Sequence, residues 1–173
     1  FVAPGIVLSS AHVVGRSLTS GAQVGIMRFD GRDGVAKLES IDPTTDVALL
    51  STEADAQDVV VELDDDALLG DALLLYGSPH GVAGTRLATY EGGEGPPGAG
   101  RLKHLIKGAQ VVGGFSGGPL LNLRTLAVIG VVAETRDERF DLGGYAVPVA
   151  RLRLALPALG PLIDQAGGRR EPW

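Results

Sequence analysis

The chain has 173 residues, 45% of them hydrophobic but only 5% aromatic, with a formal net charge of −6 and no cysteine. At that length one domain or two small ones would bury about 70% of the unfolded surface, over a core of Val, Leu, Ile and Ala. The acidic balance excludes nucleic acid as the main partner, because that binding rests on Lys and Arg set against phosphates; the lack of cysteine excludes a disulfide framework and a thiolate metal site.

No stretch reaches the roughly 18 to 20 consecutive apolar residues that span a bilayer, so no membrane role is expected. The opening Phe1-Val2-Ala3-Pro4-Gly5 lacks the basic region and cleavage site of a signal peptide. Together with the missing cysteines this leans toward a cytoplasmic location.

In chain order, Ile6-Val7-Leu8-Ser9 reads as a buried β-run, and His12 follows where such a strand ends. Residues 23–29 and 35–41 alternate partially with period two around Asp30-Gly31-Arg32-Asp33-Gly34, which is hairpin chemistry. Asp46 then introduces Val47-Ala48-Leu49-Leu50, a strand expected to be buried on both faces. Between residues 51 and 71 stand Glu53, Asp55, Asp58, Glu62, Asp64, Asp65, Asp66 and Asp71 without a Lys or Arg. That run is expected to be a solvated connection between two halves; the D-x-D-x-D-G spacing of a calcium loop is absent, so no metal is expected.

Residues 72–77 and 85–90 resume the β pattern. In residues 91–100 seven of ten are Gly or Pro, a composition that predicts a mobile loop. It follows no G-x-G-x-x-G or Walker pattern, so it predicts no nucleotide site. Residues 119–122, 126–133 and 144–149 are β-like. Residues 150–166 have helical leucine spacing, interrupted by Pro157 and Pro161. The two halves are expected at about 1–60 and 70–150, followed by a short helix over about 150–166.

The candidate chemistry centres on Gly113-Gly114-Phe115-Ser116-Gly117-Gly118-Pro119. Glycines on both sides of a serine let substrate and main chain approach its hydroxyl. The same residues fit the G-x-S-x-G turn of α/β-hydrolases, but there the histidine follows the serine, and His12, His80 and His104 all precede Ser116. The base must come from upstream. His12 and Asp46 give the order His, Asp, Ser at intervals of 34 and 70 residues. His80 and His104 are expected to be structural or exposed.

Ser9-Ser10-Ala11-His12-Val13-Val14, Asp42-Pro43-Thr44-Thr45-Asp46-Val47-Ala48-Leu49-Leu50 and Gly114-Phe115-Ser116-Gly117-Gly118-Pro119-Leu120-Leu121-Asn122 resemble the signatures of trypsin-like peptidases, nearest the bacterial HtrA/Deg-type protease domain. Gly77-Ser78-Pro79-His80-Gly81 and Gly144-Tyr145-Ala146-Val147-Pro148 resemble two further blocks of that family, in the family's order.

The resemblance implies an all-β fold of two six-stranded antiparallel barrels with a short C-terminal helix, the first strand lying before Phe1. It implies a serine endopeptidase acting on protein or peptide substrates through an acyl-enzyme, without a cofactor. Ser116 is then the nucleophile, His12 the base and Asp46 its orienting acid, with the backbone N–H groups of Gly114 and Ser116 forming the oxyanion hole. The primary pocket maps to Gln110, Val112, Val131, Val132 and Ala133, which suits small or medium apolar side chains.

Three features depart from the family pattern. Phe115 stands where trypsins have Asp and the bacterial relatives Asn. Gly130-Val131-Val132-Ala133 lacks the serine whose hydroxyl supports the acid. No PDZ module follows within the sequence. These departures leave room for a regulatory domain or partner outside the chain, and for an alternative role as a non-catalytic or partner-activated binding module.

Overall fold

A computed structural model describes residues 1–27, 31–55, 58–96, 102–135 and 143–161. They fall into two compact units, Phe1–Val61 with the chain from Arg153 onward, and Glu62–Leu152.

In the first unit, strand β1 (Ile6–Ser9) runs into a one-turn helix α1 (Ala11–Val14), followed by β2 (Gln23–Met27), β3 (Asp33–Asp42) and β4 (Val47–Ser51). The strands form an antiparallel sheet in the order β1-β4-β3-β2. Strand β4 lies inside the sheet, and Val47, Ala48, Leu49 and Leu50 are all buried, as an unbroken apolar run requires. The hairpin expected over 23–41 pairs Met27 with Asp33 and Gln23 with Lys37; residues 28–30 of its turn lie outside the described residues. On β3 the alternation places Ala36 and Leu38 inward, where they meet Ala48, Leu50, Val7, Val24 and Ile26. A six-stranded barrel with its first strand before Phe1 was expected for this half; the sheet of the described residues has four strands.

The second unit is a closed barrel in the order β10-β7-β6-β5-β8-β9. It is built from β5 (Ala72–Gly77), β6 (Gly84–Glu94), β7 (Lys103–Lys107), β8 (Pro119–Asn122), β9 (Val128–Thr135) and β10 (Gly144–Pro148), with a short 3₁₀ turn at Pro79–Gly81. Closure leaves no unpaired strand edge. Leu73, Leu75, Tyr90, Ile106, Leu120, Ile129, Val132 and Ala146 fill its interior, each large side chain contributing about 1.5–3 kcal/mol of burial. His104 sits among them at 1% exposure. Its Nε2–H donates to the Ile129 carbonyl at 3.1 Å and its Nδ1 accepts from the Tyr90 hydroxyl at 3.0 Å, so the ring is a structural element, as expected.

Two expectations change. Residues 91–94 are strand, not loop: β6 continues past Tyr90 through a bulge and pairs Gly92, Gly93 and Glu94 with Leu105, His104 and Lys103. The positive φ of Gly92, 115°, makes that bulge possible; residues 97–100 lie outside the described residues. The acidic run, in turn, is more than a solvated link. The Asp71 carboxylate, 9% exposed, accepts from Arg124 Nε at 3.0 Å, from Asn122 Nδ2 at 2.7 Å and from the Leu68 amide. Asp66 takes Arg124 Nη1 at 3.1 Å, and Asp65 accepts the Ala150 amide. These bonds lash the connection to the turn after β8. Helix α2 (Val149–Ala155) occupies the start of the expected C-terminal helix and ends before Pro157; residues 162–173 lie outside the described residues.

Candidate active site

The local sequence explains how Asp46 is presented. The Asp42 carboxylate accepts the amides of Thr44 at 2.9 Å and Thr45 at 3.3 Å and the Thr45 hydroxyl at 2.8 Å, the side-chain turn that Asp favours. The tightened chain brings Asp46 out at φ 62°, a left-handed conformation that Asp tolerates better than most residues. Ladder pairing begins only at Val47, so Asp46 is the pivot between turn and strand.

From that pivot Asp46 holds the start of α1 by three contacts. Its carbonyl accepts the Ala11 amide at 3.1 Å, its Oδ1 accepts the His12 amide at 3.0 Å, and its Oδ2 meets His12 Nδ1 at 2.6 Å. The last separation is short for a charge-assisted bond. With a carboxylate at Nδ1, that nitrogen carries the proton and Nε2 presents its lone pair. The first unit therefore brings together two of the expected site residues in the arrangement a general base needs. Arg16 Nη2 also approaches Asp46 Oδ1, at 3.3 Å, a contact that nothing in the sequence pattern signals.

Ser116 belongs to the barrel unit. Its loop turns at Gly114 (φ 100°) and Gly117 (φ 81°). The amides of Phe115, Gly117 and Gly118 donate to Val112 O at 3.2 Å, Val132 O at 2.8 Å and Phe115 O at 3.0 Å, whereas among the described residues neither the Gly114 nor the Ser116 amide donates to a backbone carbonyl. The Ser116 hydroxyl donates to Ala133 O at 3.2 Å.

Beneath the serine, Phe115 is fully buried in the barrel core, with the Arg86 guanidinium 5.8 Å from its ring centroid. A side chain that trypsin relatives keep polar is here an apolar peg. The loop is also locked backbone to backbone onto the end of β5. Ser78 N donates to Gly114 O at 2.8 Å. A Cβ at Gly77 would stand 2.5 Å from Gly114 O and 2.8 Å from Phe115 Cα; one at Gly114 would stand 2.5 Å from Ser78 O; one at Gly118 would collide with Tyr76 O. The sequence marks Gly77-Ser78-Pro79 as a family block without giving it a role; the structure sets it against the serine loop.

Of the expected pocket residues, Gln110 is exposed, Val112 and Ala133 are half-buried, and Val131 and Val132 are buried. Val132 packs inside the barrel core. Among the described residues no cluster of His, Cys, Asp or Glu has the arrangement of a metal site, and no helix is long and apolar enough to cross a membrane.

Comparison with known proteins follows the same lines. The model of the trypsin-like peptidase domain matches residues 1–131. A "Probable periplasmic serine endoprotease DegP-like" of Marinomonas sp. is 37% identical over 153 residues, 83% of this chain and 31% of that protein; its namesake in Bartonella henselae is 32% identical over 158 residues, 89% and 29%. The chain thus spans about a third of the length of these curated relatives. Among solved structures, the HtrA-type protease AlgW with a decapeptide superposes with TM-score 0.72 at 26% identity, covering 95% of this chain and 50% of that one. The active form of the Rv3671c protease from M. tuberculosis gives TM-score 0.75 at 24% identity, 92% and 71%, a likeness of fold.

These names correct one expectation. The relatives are periplasmic by name, against the cytoplasmic location that composition suggests; a chain without cysteine folds equally well in oxidising and reducing surroundings, so composition carried no weight there. On the strength of a family model that covers residues 1–131 and of relatives at up to 37% identity, the chain belongs to the trypsin-like peptidase family.

Proposed function

We propose that the protein is an extracytoplasmic serine endopeptidase that cleaves protein or peptide substrates through an acyl-enzyme formed on Ser116. The observation that carries the reading is the 2.6 Å contact between His12 Nδ1 and Asp46 Oδ2, which fixes the imidazole tautomer and leaves Nε2 as a base. In the proposed cycle His12 Nε2 takes the Ser116 proton as Oγ attacks the scissile carbonyl, and returns it to the leaving amine. Asp46 stabilises the transient imidazolium. The amides of Gly114 and Ser116 are the donors for the tetrahedral oxyanion, each worth roughly 10² to 10³ in rate. No step calls for a cofactor. The reading of the four-stranded first unit as one of two six-stranded barrels belongs to the same proposal, supported by the superposition that spans 92% of the chain.

For substrate choice, Gln110, Val112 and Ala133 remain as pocket-lining candidates, while Val131 and Val132 sit too deep. Their uncharged character favours a small or medium apolar P1 side chain; a peptide library cut chiefly after Arg or Lys would refute this. The central test is a fluorophosphonate probe, which should form a covalent adduct on Ser116 that is lost in Ser116→Ala and in His12→Ala.

A second reading, a module that becomes active only with a partner, draws on one observation: the Ser116 hydroxyl is engaged with the Ala133 carbonyl. Rapid labelling of the purified protein alone would rule it out.

A further inference from the structure

Asp46 Oδ2 is taken by the imidazole, while Oδ1 faces two donors: the His12 amide at 3.0 Å and the Arg16 guanidinium at 3.3 Å. Asp46 stands at φ 62°, ahead of the strand ladder that starts at Val47, so strand pairing does not orient its carboxylate. Both its oxygens are held by donors. On the near side, Gly15 ends α1 at φ 120° and Arg16 follows at once, four residues from His12.

We propose that Arg16 is a positioning residue of the His12–Asp46 pair, its guanidinium holding Asp46 Oδ1 so that Oδ2 stays turned to the imidazole. The inference rests on the serine-peptidase reading above. A guanidinium suits the task because its donors are fixed in a plane and it stays charged at any working pH. Its side chain is 59% exposed, so the contact adds little to folding, and the part it plays is read in rate rather than in stability.

The test compares wild type with Arg16→Met and Arg16→Lys for thermal midpoint, fraction of sites titrated by a fluorophosphonate, kcat per titrated site and KM on one peptide, at low and high salt. Loss of one exposed charged donor predicts a drop of about two- to fivefold in kcat per titrated site for Arg16→Met, with KM, thermal midpoint and titrated fraction unchanged, and an intermediate value for Arg16→Lys. Because salt screens an exposed pair, wild-type kcat should fall toward that of Arg16→Met as ionic strength rises, while the variant stays flat. Arg16→Met with wild-type kcat overturns the proposal, as does a loss that appears only as fewer titratable sites and a lower midpoint. If wild type itself is not labelled at Ser116, the peptidase reading fails and this inference with it, an outcome distinct from a labelled wild type matched by an equally fast variant.

Discussion

Replacing Gly77 by alanine probes the joint between the barrel wall and the nucleophile. Gly77 is extended strand without positive φ, so alanine meets no backbone penalty and the effect is steric alone. The added methyl would lie 2.5 Å from Gly114 O and 2.8 Å from both Phe115 Cα and Cδ1. Contacts under 3 Å with two backbone atoms are relieved only if the Gly114-Phe115 segment moves. Overpacking of this kind costs about 1–3 kcal/mol. For a chain of this length each kcal/mol lowers the thermal midpoint by about 2–4 °C, so the expected drop is about 2–12 °C. Because the segment that must move carries the amide proposed for the oxyanion hole, labelling by a fluorophosphonate should also slow by at least about tenfold, part of the roughly 10² to 10³ that one such donor contributes. Gly84 supplies the control: it is the cross-strand partner of Gly77, yet a Cβ there meets nothing within 4 Å, so Gly84→Ala should leave both measurements near wild type. Wild-type midpoint and labelling rate in Gly77→Ala would show that the two backbones are not interlocked.

Asp46→Asn should fold, since an amide oxygen still accepts the His12 amide, but its NH₂ faces imidazole Nδ1 and selects the wrong tautomer; kcat should fall by about 10⁴, the order this exchange costs in trypsin-type triads, measured by peptide hydrolysis. Phe115→Ala removes a fully buried ring from the barrel core and should cost about 3–5 kcal/mol in denaturant unfolding, with labelling of Ser116 lost alongside. The Asp71 carboxyl is lowered to about 2, chiefly by hydrogen bonds from Arg124 and then by the Leu68 amide. A depressed carboxylate stabilises the fold above its unfolded value of 3.8 and loses that effect as pH falls through the folded value. Thermal midpoints should therefore drop more steeply between about pH 4 and pH 2 in wild type than in Asp71→Asn, and parallel curves would contradict it.

Residue chemistry made much of this molecule legible in advance, and the reasons differ by element. Strand β4 announced itself because four apolar residues in a row have few uses other than an interior strand, and β5 because its leucine run resumes the β pattern; which of those leucines face inward, Leu73 and Leu75, only the structure shows. Strand β7 gave no such sign: Lys103-His104-Leu105-Ile106-Lys107 turns a histidine inward, and the groups that satisfy it, the Tyr90 hydroxyl and the Ile129 carbonyl, lie 14 and 25 residues away. The Gly92-Gly93 segment reads as loop on propensity, but pairing with β7 overrides it. At the candidate site, His12, Asp46 and Ser116 stood out by type and order. What a linear reading lacked was the set of donors around the acid and the glycine interlock beside Ser116, because each is a through-space contact between segments that carry no mark of their meeting.

The threefold grip of Asp46 on the chain at Ala11 and His12 bears on how an inert copy of the protein should be made for capturing whatever it acts upon. Asp46→Ala would silence turnover but also release the His12 amide from Oδ1, so a failure to retain bait would have two explanations. Ser116→Ala deletes one oxygen, which donates to the Ala133 carbonyl, and leaves that grip whole, which makes it the cleaner snare.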